Sequence, residues 1–212
     1  MIELQDRPAE AAPSPRPGIY PAHLTRRVTT EHGVTYVLRP IRPDDAEILQ
    51  RFHGALSPDS VFRRYFSLHP ELSAAELTHL TTVDYVDRMA FIIIEHQDLV
   101  AVGRYDRIDT SDRAEVAFLV SDSYQHQGLG LLLLDHLAQA AWDCGITTLV
   151  AETQADNRAM MAVFRASGFP VTARLEDEII YVRFPIAPTP ESEAAREARR
   201  QRWAAARAAA LR

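Results

Sequence analysis

The alternation of apolar and polar residues divides the chain into short strand-like runs set among amphipathic helices. Residues 34–38, Val-Thr-Tyr-Val-Leu, read as a β-branched first strand. Pro43-Asp-Asp-Ala then starts a helix, with proline and acids in its first turn, that runs to about Ala55. Ser57-Pro58-Asp59-Ser60 repeats the start signal with Ser57 as candidate N-cap, and the helix through residues 61–66 carries Arg63-Arg64 beside aromatics. A third helix follows Ser73. Residues 89–95, 99–108 and 115–120 form three strand-like runs joined by short polar turns, an antiparallel meander. After a polar turn come a helix to about Cys144, a strand at 147–153, a helix at 156–167 and a hairpin of 171–175 with 179–184. This order predicts an α+β fold: a central mixed, mostly antiparallel sheet with helices on both faces and one parallel pair near the polar turn. No internal repeat is visible.

That turn, Gln125-His126-Gln127-Gly128-Leu129-Gly130, joins an apolar strand to an apolar helix. The first amides of a helix have no internal acceptors and carry the positive end of its dipole, so a phosphate can be held there without a lysine. Glycines at such a junction also serve the turn alone, and the segment by itself does not choose between these readings. No Gly-Lys-Ser/Thr follows, and Leu133 stands where G-x-G-x-x-G needs its third glycine, so neither common nucleotide motif applies.

Length and composition narrow the class. A chain of 212 residues is enough for one well-filled domain with modest extras. Prolines crowd both ends, so residues 1–30 read as a mostly irregular lead-in, residues 31–186 as the domain, and residues 187–212 as an Arg/Ala-rich helical tail. No stretch reaches the roughly 18 apolar residues of a membrane span, and the N-terminus lacks the apolar core of a signal peptide, so a cytoplasmic protein without membrane contact is expected. The single cysteine, Cys144, fits core packing in a reducing compartment. A net charge of −6 argues against nucleic-acid binding by the body of the protein. From position 191 onward six arginines face three glutamates, so the tail is near +3. Two readings of it stay open: a solvated helix docked through Trp203, or a partner-binding or nucleotide-contacting element. His53, His69, His79, His96 and His136 show no metal-ligand spacing, so no metal is expected.

With these elements in place the chain resembles the Gcn5-related N-acetyltransferase (GNAT) family, whose hallmark Q/R-x-x-G-x-G/A is filled by Gln125, Gly128 and Gly130. A second block, from Asn157 through Gly168-Phe169, is similar to the family's Asn-led helix that ends in Gly-Phe. The resemblance implies two splayed neighbouring strands with acetyl-CoA between them. It implies that the amides of Gln125, His126, Gln127, Gly128, Leu129, Gly130 and Leu131 hold the pyrophosphate. Leu119 and Val120 would bond the pantetheine through their main chain, and Asn157 would touch its arm unless it is only an N-cap. Residues 38–46, 56–60 and the Arg63/Arg64 pair near Phe66 look like the catalytic domain of bacterial protein lysine acetyltransferases that modify acyl-CoA synthetases. A protein lysine is then the expected acceptor, a small-molecule amine the alternative, and a non-catalytic acyl-CoA sensor a third reading. Charge reversal at Arg63 or Arg64 is expected to weaken protein acetylation. Regulation by a cyclic nucleotide is not expected.

A lysine amine must lose a proton to attack a thioester, and Glu115 is the candidate general base. Alternation would put Glu115, Ala117 and Leu119 on one strand face, where burial would raise the carboxyl's pKa; the other reading is an exposed charge at the strand's start. An amide near Leu119 or Val120 could stabilise the oxyanion, and direct transfer is expected rather than a route through Cys144. The sequence departs from many family members at His126 and Gln127, where Gly and Arg are common. It departs again at Phe164, among the expected cofactor-side residues, where many members carry a thiolate-protonating tyrosine.

Overall fold

A computed structural model describes residues 18–30, 33–67, 69 and 71–210. Its centre is an eight-stranded sheet in the order β1-β2-β3-β4-β5-β6-β8-β7. The strands are β1 (Arg26–Thr29), β2 (Thr35–Pro40), β3 (Arg88–Glu95), β4 (Asp98–Arg107), β5 (Arg113–Val120), β6 (Thr148–Gln154), β7 (Thr172–Glu176) and β8 (Ile179–Pro185). Helices α1 (Ala46–Gly54), α2 (Pro58–Tyr65) and α3 (Ala74–Thr81) lie between β2 and β3. Helix α4 (Leu129–Asp143) links β5 to β6, α5 (Arg158–Ala166) links β6 to β7, and α6 (Pro190–Ala210) closes the chain. Every neighbouring pair of strands is antiparallel except β5 and β6.

Local chemistry sets most boundaries. The Ser57 hydroxyl accepts the Ser60 amide at 3.2 Å, with Pro58 in the first turn of α2. Ser73 and Glu76 form a reciprocal capping box at α3. Asp177 and Glu178 both have positive φ, 48° and 66°, which is the twist a two-residue turn needs to join β7 and β8. Gly103 is sterically required: a Cβ there would lie 2.9 Å from Phe118 and 3.1 Å from Leu133, so its absence lets α4 sit down on β4 and β5. The neighbouring Arg104 faces the opposite side, where it donates to the Leu80 carbonyl of α3 at 3.1 Å. Helices therefore cover both faces, and the core between them is built from Ile92, Ile93, Leu133, Leu137 and their neighbours.

β5 and β6 pair at only three positions, Arg113 with Thr148, Ala114 with Leu149 and Glu115 with Val150. Beyond these β5 continues on β4 to Val120, and β6 continues on β8 to Gln154. The inner edges of residues 116–120 and 151–154 therefore face each other without ladder bonds.

Two expectations change. The lead-in is not irregular throughout: β1 lies inside it, antiparallel to β2, while residues 1–17 fall outside the described ones. Arg26-Arg27-Val28-Thr29 is a four-residue edge strand, too short and too charged to show alternation. The tail is anchored by more than Trp203. Arg199, 4% exposed, donates Nε to Asp135 of α4 at 3.0 Å and Nη1 to the Ala166 carbonyl of α5 at 2.9 Å. Gly168, at φ 83°, allows the start of α6 to come so close that a Cβ would meet the Glu191 carbonyl oxygen at 2.9 Å. Among the described residues no helix is long and apolar enough to cross a membrane.

Removing one partner of a buried ion pair leaves the other charge stranded, whereas replacing both by apolar residues is close to neutral. Arg199→Leu should cost about 3 kcal/mol in urea denaturation, and Arg199→Leu with Asp135→Leu should recover most of it. Equal losses in the single and double variants would contradict the clamp.

Candidate functional site

Where β5 and β6 part, a cavity of about 550 Å³ opens, lined by the end of β5, the turn after it, the first turns of α4 and α5, and α2. Gln125 is extended, and His126 and Gly128 are left-handed at φ 61° and 79°. With the 3-10 turn Asp122–Tyr124 before it, this backbone course carries the chain from the end of β5 at Val120 to the start of α4 at Leu129. The first helical bond of α4 runs from the Leu132 amide to the Gly128 carbonyl at 3.0 Å, so the amides of Leu129, Gly130 and Leu131 have no acceptor within the helix. No acidic residue occupies that turn, which leaves the dipole uncompensated. Gly130 brings α5 near: a Cβ there would meet Val163 at 3.3 Å.

The turn is tied to α2 by Asp122. Its carboxylate accepts the Ser57 amide at 2.9 Å and the hydroxyls of Ser57 and Ser60, each at 2.7 Å. Partial burial alone would raise this carboxyl's pKa, but the converging donors outweigh it and hold it below the usual carboxylate range. Gln125 completes the network by donating to Ser60 Oγ at 3.2 Å. The hallmark glutamine thus joins loop to helix with its side chain.

The other expected residues divide. Leu119, Val120, His126, Gly128, Leu129, Gly130, Leu131 and Asn157 line the cavity together with Gln125. Gln127 does not: its side chain accepts the Tyr36 hydroxyl at 3.0 Å and donates to the Ser123 carbonyl at 3.2 Å. Asn157 is an N-cap, its oxygen taking the Met160 amide at 3.0 Å, yet it also borders the cavity. Phe164 is a fully buried ring packed on Phe118 and Phe184, outside this cavity and bordering a second one.

That second cleft, about 230 Å³, holds Glu115 and Glu152 below Arg64, Tyr65 and Phe66. The two cavities share Arg63, Arg64, Phe118, Asn157 and Met160, so they meet where the strands separate. Glu115 is the last β5 residue paired with β6 and is exposed. Its expected burial is therefore corrected: alternation sends Val116 and Phe118 into the core, and Glu115 onto the face that opens to the cleft. Cys144 lies at the far end of α4, borders neither cavity, and has its thiol pKa pushed up by burial.

Two basic residues at the cavity differ from expectation. Arg63 is not free for an acceptor. It donates Nε to Asp59 at 2.7 Å and bridges to Asp156 before α5 at 3.0 Å, spanning the gap between α2 and the β6 side. Arg158, at the first position of α5, also lines the cavity and was not among the expected residues. Among the described residues no group of three His, Cys, Asp or Glu is placed to hold a metal.

Residues 56–169 match the acetyltransferase (GNAT) family. The chain is 32% identical to acetyltransferase PA5475 of Pseudomonas aeruginosa, over 66% of this chain and 77% of that protein. It is 31% identical to acetyltransferase Pat of Mycolicibacterium smegmatis over 66% of this chain, and the match spans 43% of the mycobacterial protein. The crystal structure of the GNAT domain of S. lividans PAT superposes with a TM-score of 0.74 at 36% identity, covering 79% of this chain and 99% of that one.

The Asp122 network predicts a pH dependence. A carboxyl whose folded pKa lies below its unfolded value adds stability that is complete above the unfolded pKa and is lost as pH falls through the folded one. Asp122→Asn should therefore cost about 1 kcal/mol near neutrality, after allowance for solvent screening, and the gap to wild type should close in acid. Denaturation midpoints of the two proteins across pH check this; a gap that is constant or widens in acid would contradict it.

Proposed function

The chain belongs to the acetyltransferase (GNAT) family and is an acyltransferase; from that premise we propose that it moves an acetyl group from acetyl-CoA to a protein lysine amine, with Glu115 as general base. The observation that carries this reading is the junction of the two cavities at the parting of β5 and β6, with free helix amides on one side and Glu115 on the other.

On the coenzyme side, the amides of Leu129, Gly130 and Leu131 would donate to the pyrophosphate oxygens, with His126 and Arg158 adding donors at the rim. The unpaired edge of residues 116–120 would bond the pantetheine amides as a further strand would, and the Asn157 side-chain NH₂ would donate to the same arm. These contacts bring the thioester to the vertex, beside the second cleft.

On the acceptor side, a lysine at its ordinary pKa of about 10.4 is neutral in roughly one molecule per thousand near pH 7.4. Glu115 takes a proton from the lysine ammonium, which frees the nitrogen lone pair to form the N–C bond, and the second nitrogen proton passes to solvent as the amide forms. General bases typically accelerate such a step about 10²–10⁴-fold. A main-chain amide near Leu119 or Val120 would donate to the oxyanion, and collapse breaks the C–S bond and releases the thiolate of coenzyme A. Phe164 has no proton to give, so the thiolate leaves as such or takes a proton from solvent. No covalent enzyme intermediate is needed. Cys144 borders neither cavity, which supports transfer in a ternary complex. A protein acceptor is supported by the likeness of residues 38–66 to bacterial protein lysine acetyltransferases and by the Pat relatives.

Glu115→Gln should keep the acetyl-CoA Kd within about twofold and lower kcat by about 100-fold or more at neutral pH. Wild-type turnover by this variant across pH would refute the base assignment. Labelled acetyl-CoA added to a cell lysate, followed by mass spectrometry, should place label on protein lysines; label confined to small amines would overturn the acceptor.

A further inference from the structure

Among the described residues five large apolar side chains are exposed, and two of them, Phe62 and Phe66, lie one turn apart on α2. They are 42% and 37% exposed. Phe66 also ends the helix in a left-handed conformation, φ 54° and ψ 20°, a position that favours glycine or asparagine because a Cβ there is strained. Exposed apolar area and backbone strain therefore coincide at one residue. Phe66 borders the cleft that holds Glu115 and Glu152. The left-handed cap has a folding role, closing the helix through the Phe66 amide to the Phe62 carbonyl at 2.8 Å. The exposed apolar pair, with Phe66 at the cleft, is the feature that points to contact with another molecule.

Building on the acyl-transfer reading, we propose that Phe62 and Phe66 form the docking rim for a polypeptide acceptor that presents its lysine beside an apolar side chain. The carboxylates set the orientation: the lysine ammonium enters the cleft toward Glu115 and Glu152, which share it with Arg64 and with Arg63, whose charge is paired to Asp59 and Asp156, and the flanking apolar residue covers the phenylalanines. The platform is held in place before any partner arrives. Arg63 bonds Asp59 and Asp156, and Asp122 fixes the start of α2 through Ser57 and Ser60. A small amine confined to a 230 Å³ cleft has no atoms to reach the outer side of α2, so the rim gains nothing from such a substrate. Of the two arginines at this cleft, Arg63 serves as a support through its two pairings, while Arg64, 5.2 Å from the Tyr65 ring, borders both cavities.

The test uses two synthetic peptides that differ only in the residues flanking a single lysine, leucine in one and serine in the other. With wild-type protein the leucine peptide should have a kcat/KM about tenfold or more above the serine peptide. In Phe62→Ser/Phe66→Asn, where asparagine tolerates the left-handed cap, that ratio should fall toward one while the acetyl-CoA Kd stays within about twofold. Phe62→Ser alone leaves the cap untouched and should lower the ratio by part of this amount. A wild-type ratio near one, or a preference retained in both variants, overturns the proposal. Failure of the wild type to bind acetyl-CoA or to acetylate either peptide would instead overturn the acyl-transfer reading on which it rests.

Discussion

β5 and β6 share three residue pairs and then separate, and the site depends on that separation. A parallel pair in the middle of a sheet would ordinarily satisfy its backbone groups across its full length. Here each strand is held by its outer neighbour, β5 by β4 and β6 by β8, while the inner edges are left facing a cavity. The gap has the character of an unfilled strand position, open on one side to the free amides of α4 and on the other to Glu115. A ligand with amides along its length and an anionic end fits such a position. This is why the family resemblance, the cavity and the helix terminus all point to one cofactor chemistry.

Opening a sheet removes hydrogen bonds, so the two halves must be held at a fixed spacing by other contacts. Three do so, and each crosses a long stretch of sequence. Arg63 bridges α2 to Asp156 on the β6 side, Asp122 binds the turn after β5 to α2, and Arg199 joins α4 to α5. All three use charged groups with two or more hydrogen bonds, which set direction as well as distance. The C-terminal helix is thus part of the domain's bracing, with Trp203 near Gly128 behind the turn that opens α4.

The periodic elements were legible because their signals are local: the Ile-rich β3, the leucines of α4, the serine caps at α2 and α3, and the Gln125–Gly130 turn. What escaped was either short or distant. β1 has four residues and two arginines, so alternation cannot show in it. Asp135 and Arg199 are 64 residues apart, and nothing near either marks the other as its partner. Glu115 shows the limit of a face assignment. The alternation was right, since Val116 and Phe118 are buried, but periodicity does not say whether the other face meets a helix or an open cleft. Asn157 combined two readings that had been set as alternatives, a cap by its oxygen and a cavity residue by its position. Gln127 could be placed only once Tyr36, 91 residues away, was known to hold it.

The central claim is that the parting of β5 and β6 is the coenzyme site, and amide hydrogen exchange with and without acetyl-CoA tests it directly. Acetyl-CoA should slow exchange at residues 116–120 and at Leu129, Gly130 and Leu131, with the β7–β8 hairpin unchanged. Unchanged exchange at both of these segments in the presence of saturating acetyl-CoA would contradict the account.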